Sequence, residues 1–71
     1  MREYYRSAYD LVNDLLREYA LYDCYISQNG DRITVEYGET DEEDVWPVID
    51  ELGRMGYHDI YLYGDHFEVW V

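Results

Sequence analysis

The chain has 71 residues, with seventeen Asp and Glu against five Arg and no Lys, and a formal net charge of −12. It is 48% apolar and carries ten Tyr and two Trp, which sets it apart from a disordered acidic tail, a class poor in aromatics. No apolar run approaches the roughly eighteen residues of a membrane span, MREYYRSAYD holds no signal-peptide core, and one Cys with two His provides neither an internal disulfide nor a structural zinc array.

The expectation is a single soluble, cytosolic domain over residues 1–71, folded on its core alone, without metal or cofactor. The excess negative charge opposes compaction at low salt. The midpoint of thermal unfolding is therefore expected to rise as salt is added from low ionic strength, and a flat response contradicts this.

Residues 2–20 read as a helix. Tyr5, Ala8, Tyr9, Val12, Leu15, Leu16 and Tyr19 recur at three- and four-residue steps and line one face. Glu3, Asp10, Asp14 and Glu18 fall on the other, with Arg6, Asn13 and Arg17.

Residues 22–37 read as a hairpin around Asn29-Gly30, a pair suited to a type I′ loop because both residues tolerate positive φ. That loop sets Ile26 opposite Ile33, Cys24 opposite Val35 and Tyr22 opposite Tyr37, all on one apolar face. Tyr25, Thr34, Ser27, Arg32, Asp23 and Glu36 take the other.

A second helix follows at about residues 41–55, with Val45, Val48, Ile49, Leu52 and Met55 as its stripe. Thr40 and Glu43 match a capping box, and the acids through Asp44 suit the positive end of the helix dipole. Pro47 fits a first turn that begins near Glu43 but disturbs the ladder of a helix capped by Thr40. Gly53 and Gly56 mark the end.

Residues 58–71 read as a second hairpin around Gly64-Asp65, a Gly-first loop of type II′. Leu62 then faces Phe67, Ile60 faces Val69 and His58 faces Val71. Tyr63, His66, Tyr61, Glu68, Asp59 and Trp70 line the opposite side.

The order αββαββ divides into two similar units, 2–37 and 40–71. A shift of thirty-six residues matches Val12 with Val48 and Leu16 with Leu52; a shift of thirty-four past the first turn matches Gly30 with Gly64, Asp31 with Asp65 and Val35 with Val69. Each unit exposes an apolar face, so the two must pack together. The predicted fold class is α+β, a four-stranded antiparallel sheet with both helices on one face. This connectivity resembles a circular permutation of the ferredoxin-like βαββαβ fold with its first strand moved to the end. The likeness is one of topology and carries no functional motif.

Two surfaces stand out. The uncovered sheet face gathers Tyr25, Tyr61, Tyr63 and Trp70 among Glu36, Glu68 and other polar residues, a pattern typical of a protein interface. Sheet aromatics also stack RNA bases, but in the company of basic residues that meet the phosphates, whereas here four carboxylates stand against Arg32 and the whole domain is strongly negative. The second surface is acidic: Glu39, Asp41, Glu42, Glu43 and Asp44 fall within six positions, and Asp10, Asp14 and Glu18 are four apart on the first helix. Their rise of about 6 Å per step is of the order of the charge spacing along a nucleic-acid backbone.

Cys24 is expected to be a small buried side chain, and neither His forms a metal-ligand spacing. Asp41 to Asp44 lack the Gly and the spaced ligands of a calcium loop. No phosphate-cradling Gly loop and no nucleophile motif is present. The expected role is therefore non-enzymatic: a small acidic protein that occupies a basic, nucleic-acid-binding surface of a partner, as a DNA or RNA mimic. Its size and charge are similar to those of phage anti-defence inhibitors, including anti-CRISPR proteins. The alternatives are a homodimer that buries the aromatic face and a salt-adapted small domain.

Overall fold

The computed structural model describes residues 7–71. Ser7 is extended, and its Oγ accepts a hydrogen bond from the Asp10 backbone N–H at 3.2 Å, capping helix α1, Ala8–Glu18. Of the helix expected over residues 2–20, the stretch 2–6, with Glu3, Tyr5 and Arg6, lies outside the described residues; α1 begins after its cap at Ser7 and ends at Glu18, short of residue 20. Leu11, Val12, Leu15 and Leu16 are its buried face.

At its other end, Ala20 N–H donates to Arg17 O and Leu21 N–H to Leu16 O, a Schellman closure that holds Ala20 at φ 60°. Helix α2, Glu42–Arg54, ends the same way: Gly56 N–H donates to Gly53 O and Tyr57 N–H to Leu52 O, with Gly56 at φ 101°. Gly53 is therefore helical, and Gly56 alone makes the stop. The two ends correspond, but the first holds an Ala where a left-handed residue is required. An L-residue there costs about 1–2 kcal/mol, partly offset by the greater unfolded-state entropy of Gly. Ala20→Gly is expected to stabilise the domain by about 0.5–1 kcal/mol, raising the thermal midpoint by about 3–6 °C. A lowered midpoint contradicts this.

The capping box expected at Thr40 does not form. Asp41 is the N-cap, without a side-chain cap bond, and Thr40 N–H donates to Tyr37 O. Pro47 consequently lies inside α2 and gives no N–H to the Glu43 carbonyl. Both residues are exposed, so water can serve that carbonyl.

Four strands, β1 Tyr25–Asn29, β2 Arg32–Glu36, β3 Ile60–Leu62 and β4 His66–Trp70, form one antiparallel sheet in the order β1-β2-β4-β3. This is the order a ferredoxin-like sheet acquires when its first strand is moved to the end. The second hairpin has the expected register, Leu62 opposite Phe67 and Ile60 opposite Val69.

The first hairpin does not. Ile26 pairs with Val35 and Gln28 with Ile33, so the loop is Gly30-Asp31 and not Asn29-Gly30. Both loops place Gly30 at positive φ, observed at 63°, but the type I′ loop would need the same of Asn29, which is not there. One local and one distant contact favour the observed loop: the Gln28 side-chain amide donates to Gly30 O, and Asp31 O accepts from Val71 N–H. Because the loop moves by one residue, partners change by two and every strand side chain keeps its face. Tyr22 and Asp23, however, fall outside β1. Leu21 packs on the core in their stead, leaving Tyr22 76% exposed.

The central pair β2–β4 sets Thr34 opposite Glu68, and these residues are equivalent under the thirty-four-residue shift. A local twofold axis therefore passes between them. Its mates are visible outside the ladder as well: Tyr37 N–H donates to Asp65 O, and Val71 N–H to Asp31 O. The two-residue difference between the halves lies in the loop before β1, not at the turn.

The core lies between the sheet and the two helices. Ile33, Val35, Phe67 and Val69 from the central strands meet Leu11, Val12, Leu15, Leu16, Val45, Val48 and Leu52. At the margins, His58, Leu62 and Val71, expected on the inner face, are exposed, because β3 is an edge strand of three residues.

Tyr37 is buried and its Oη has no hydrogen-bond partner among the described protein atoms. Burial, reinforced by the charges of Glu42, Cys24 and Asp65, pushes the phenol from its ordinary 10 to about 12. The neutral form is thus favoured in the folded chain. Stability is undiminished below pH 10 and falls as pH rises from 10 through about 12, by about 2–3 kcal/mol over that window. Tyr37→Phe is expected to stabilise the domain by about 1 kcal/mol at neutral pH by deleting an unsatisfied buried group, and to remove that part of the alkaline loss. Urea midpoints at pH 8 and pH 11 check both effects; an unchanged alkaline slope contradicts the assignment.

Candidate binding surface

The helices cover one side of the sheet and leave the other open. Antiparallel pairing arranges the open side as three rows across β1, β2, β4 and β3. One row reads Tyr25, Glu36, His66, Tyr63; the next Ser27, Thr34, Glu68, Tyr61; the third Asn29, Arg32, Trp70, with the Asp59 carbonyl accepting from Trp70 N–H. Alternation on β4 produces this directly: Phe67 and Val69 point inward, so His66, Glu68 and Trp70 point out.

Three of the four expected aromatics gather at one end of this grid. Tyr61, Tyr63 and Trp70, with Asp59 and Glu68, line a groove of about 450 Å³. Tyr25 stands on the far edge, three strands and about 14 Å from Tyr63, with Glu36 between them in the row.

The two basic side chains of the open face, Arg32 and His66, are already engaged. Arg32 approaches Glu68 at 4.0 Å and lies over the Trp70 ring at 5.8 Å. His66 Nδ1 sits 2.6 Å from Asp65 Oδ1 and its Nε2 3.8 Å from Glu68, while its ring stacks on Tyr63 at 4.7 Å. The hydrogen bond from His66 holds the Asp65 carboxyl below its usual range. Glu68 is the hub of this network, with a side chain only 16% exposed. These contacts fix the orientation of two groove rings without covering the groove.

The acids of the second surface belong to the helical layer. Asp14 and Glu18 are exposed on α1 and Asp10 is partly buried there; Glu39, Asp41, Glu43 and Asp44 are exposed around the start of α2, with Glu42 partly buried. Asp41, Glu42 and Glu43 surround Trp46 in a second groove of about 440 Å³. Trp46 is 55% exposed and does not figure in the sequence reading. Its signal was its place one residue off the apolar stripe, directly after Val45, with Glu42 and Glu43 at i−4 and i−3. The structure therefore separates what the sequence grouped: the aromatic face and the helical acids lie on opposite layers, and a flat partner meets one or the other.

Cys24 is partly buried, with Sγ 3.9 Å from Tyr37 O. Burial raises its thiol, with Asp23 adding to the effect and a Thr40 hydrogen bond opposing it, which disfavours the reactive thiolate. Among the described residues no group of three or more His, Cys, Asp or Glu is placed to hold a metal ion, and no helix is long and apolar enough to cross a membrane. No family model, curated protein or solved structure matches the chain.

Proposed function

We propose that the domain is a non-enzymatic binding protein that docks its open sheet face on a basic surface of another protein, one that otherwise holds nucleic acid. The observation that carries this reading is the groove: Tyr61, Tyr63 and Trp70 stand half-exposed around Glu68 and Asp59 on a sheet face that no described element covers. Exposed aromatics with a polar rim are the usual anchors of an interface. Direct nucleic-acid binding is disfavoured because Arg32 and His66, the basic side chains of the face, already sit against carboxylates and the chain carries a net charge of −12.

In this reading the helical acids act at a distance. Asp10, Asp14 and Glu18 on α1 and the acids around the start of α2 add to a field that draws a cationic partner and speeds encounter. An inhibitor that mimics nucleic acid, of the phage anti-defence or anti-CRISPR kind, is the sharpest form of the proposal. Its test is competition: a protein captured on the domain at low salt should bind DNA or RNA, and the domain should displace that nucleic acid. Reversing the charges of Glu42, Glu43 and Asp44 should slow association at low salt and leave dissociation nearly unchanged. A captured partner that binds the domain and nucleic acid together, without competition, overturns the mimicry.

A further inference from the structure

We infer that the open-face groove is an arginine-binding cleft, which receives one guanidinium side chain from the basic partner. This rests on the protein-binding reading above and names the chemistry by which it would work. Three aromatic rings and two carboxylates line the groove, and no cation contributes to its walls. Ring faces attract cations through their quadrupoles, best at Trp, and carboxylates in the same wall supply hydrogen-bond acceptors.

Asp59 forms no ion pair among the described residues and stands at the end of the row that holds Trp70. Glu68 is held from the β2 side by Arg32 and from its own strand by His66, which leaves the side toward Tyr61, its partner across the sheet on β3, facing the groove.

The molecule contains its own precedent. Arg32 lies over the Trp70 ring and against Glu68, which is the pose an incoming guanidinium would repeat from the β3 side. A planar guanidinium suits this wall better than an ammonium, because it can stack on a ring while its edge forks to a carboxylate. The groove around Trp46 offers carboxylates at a helix N-terminus with a single ring and lacks this enclosure.

The test uses the intact chain, labelled with ¹⁵N, and N-acetyl-arginine amide as the probe. The two indole N–H signals are separated by the Trp46→Phe variant. The expected result is a saturable shift of the Trp70 indole and the Tyr61 and Glu68 amides, with no saturable shift from the neutral isostere N-acetyl-citrulline amide. N-acetyl-lysine amide should bind more weakly by about threefold or more. Asp59→Asn, on the exposed rim, should weaken arginine binding about threefold to tenfold without moving the thermal midpoint.

Equal shifts from the citrulline and arginine probes, or arginine shifts confined to Trp46 and the helical acids, overturn the cleft; equal binding of lysine and arginine overturns its guanidinium preference. The two proposals fail separately. Saturable arginine binding in a chain that captures no basic partner sustains the cleft and sinks the partner reading. A competing basic partner captured by a chain that binds no arginine probe does the reverse.

Discussion

Phe67→Ala is expected to lower the thermal midpoint by about 15–30 °C. Phe67 is fully buried on central strand β4, between Val35 of β2 and Leu62 of β3, with its ring 6.2 Å from that of Tyr37. Truncating a buried Phe removes about 3–5 kcal/mol, from lost transfer energy and the cavity left behind. A domain of this length has roughly 4–10 kcal/mol in all, and each kcal/mol moves the midpoint by about 4–8 °C at this size. Much of the folded population is therefore lost near physiological temperature. Differential scanning calorimetry reads this directly, and a fall of less than about 5 °C would mean that the core is not organised around β4.

Three residues along the same strand, the opposite pattern is expected. Trp70 points to the open face and is 43% exposed. Trp70→Ala removes its contact with Arg32, worth about 1 kcal/mol or less at an exposed site, so the fold should survive. What it removes from an interface is a large, rigid anchor. Truncating such an anchor typically costs about 2–4 kcal/mol, or roughly 30-fold to 1,000-fold in Kd, mostly through faster dissociation. Surface plasmon resonance against a captured partner separates the two rate constants. An unchanged dissociation rate with a folded variant would place the interface elsewhere, with the helical acids and Trp46 the remaining candidates.

The contrast between these substitutions shows what was legible in the sequence. Alternation of apolar residues is a period-2 signal that survives small errors of register. The open-face positions of the strands, apart from Asp23 outside β1, therefore follow from the sequence even though the first hairpin turns at Gly30-Asp31. The register itself was not legible from Asn29-Gly30, because Gly30 satisfies either loop and contacts from Val71 and Gln28 decide between them. The internal repeat pointed the right way, since it matches Gly30-Asp31 with Gly64-Asp65. Helix starts escape the sequence for a similar reason: Ser7 caps α1 through its Oγ and Asp41 caps α2 by backbone geometry alone, local features that the longer apolar periodicity does not register.

The site was legible as a list of residues and not as an arrangement. Tyr61, Tyr63, Trp70 and Glu68 converge because β3 and β4 pair, and in this hairpin the Gly64-Asp65 turn gives the pairing. The distance of Tyr25 from that cluster depends on the strand order β1-β2-β4-β3, which a sequence of two similar αββ units leaves open. The separation of the helical acids from the aromatic face follows from the layer architecture and requires no further contact to explain it.

The central claim is that the open sheet face is what meets the partner. Its most direct test is affinity capture at low salt on the wild-type chain and on the Tyr61→Ala/Trp70→Ala double variant, followed by stepwise salt elution. The account predicts that a nucleic-acid-binding protein is retained by the wild type, released by moderate salt or by added nucleic acid, and lost from the folded double variant. Equal retention by both chains, or retention of nothing but further copies of the chain itself, would contradict it.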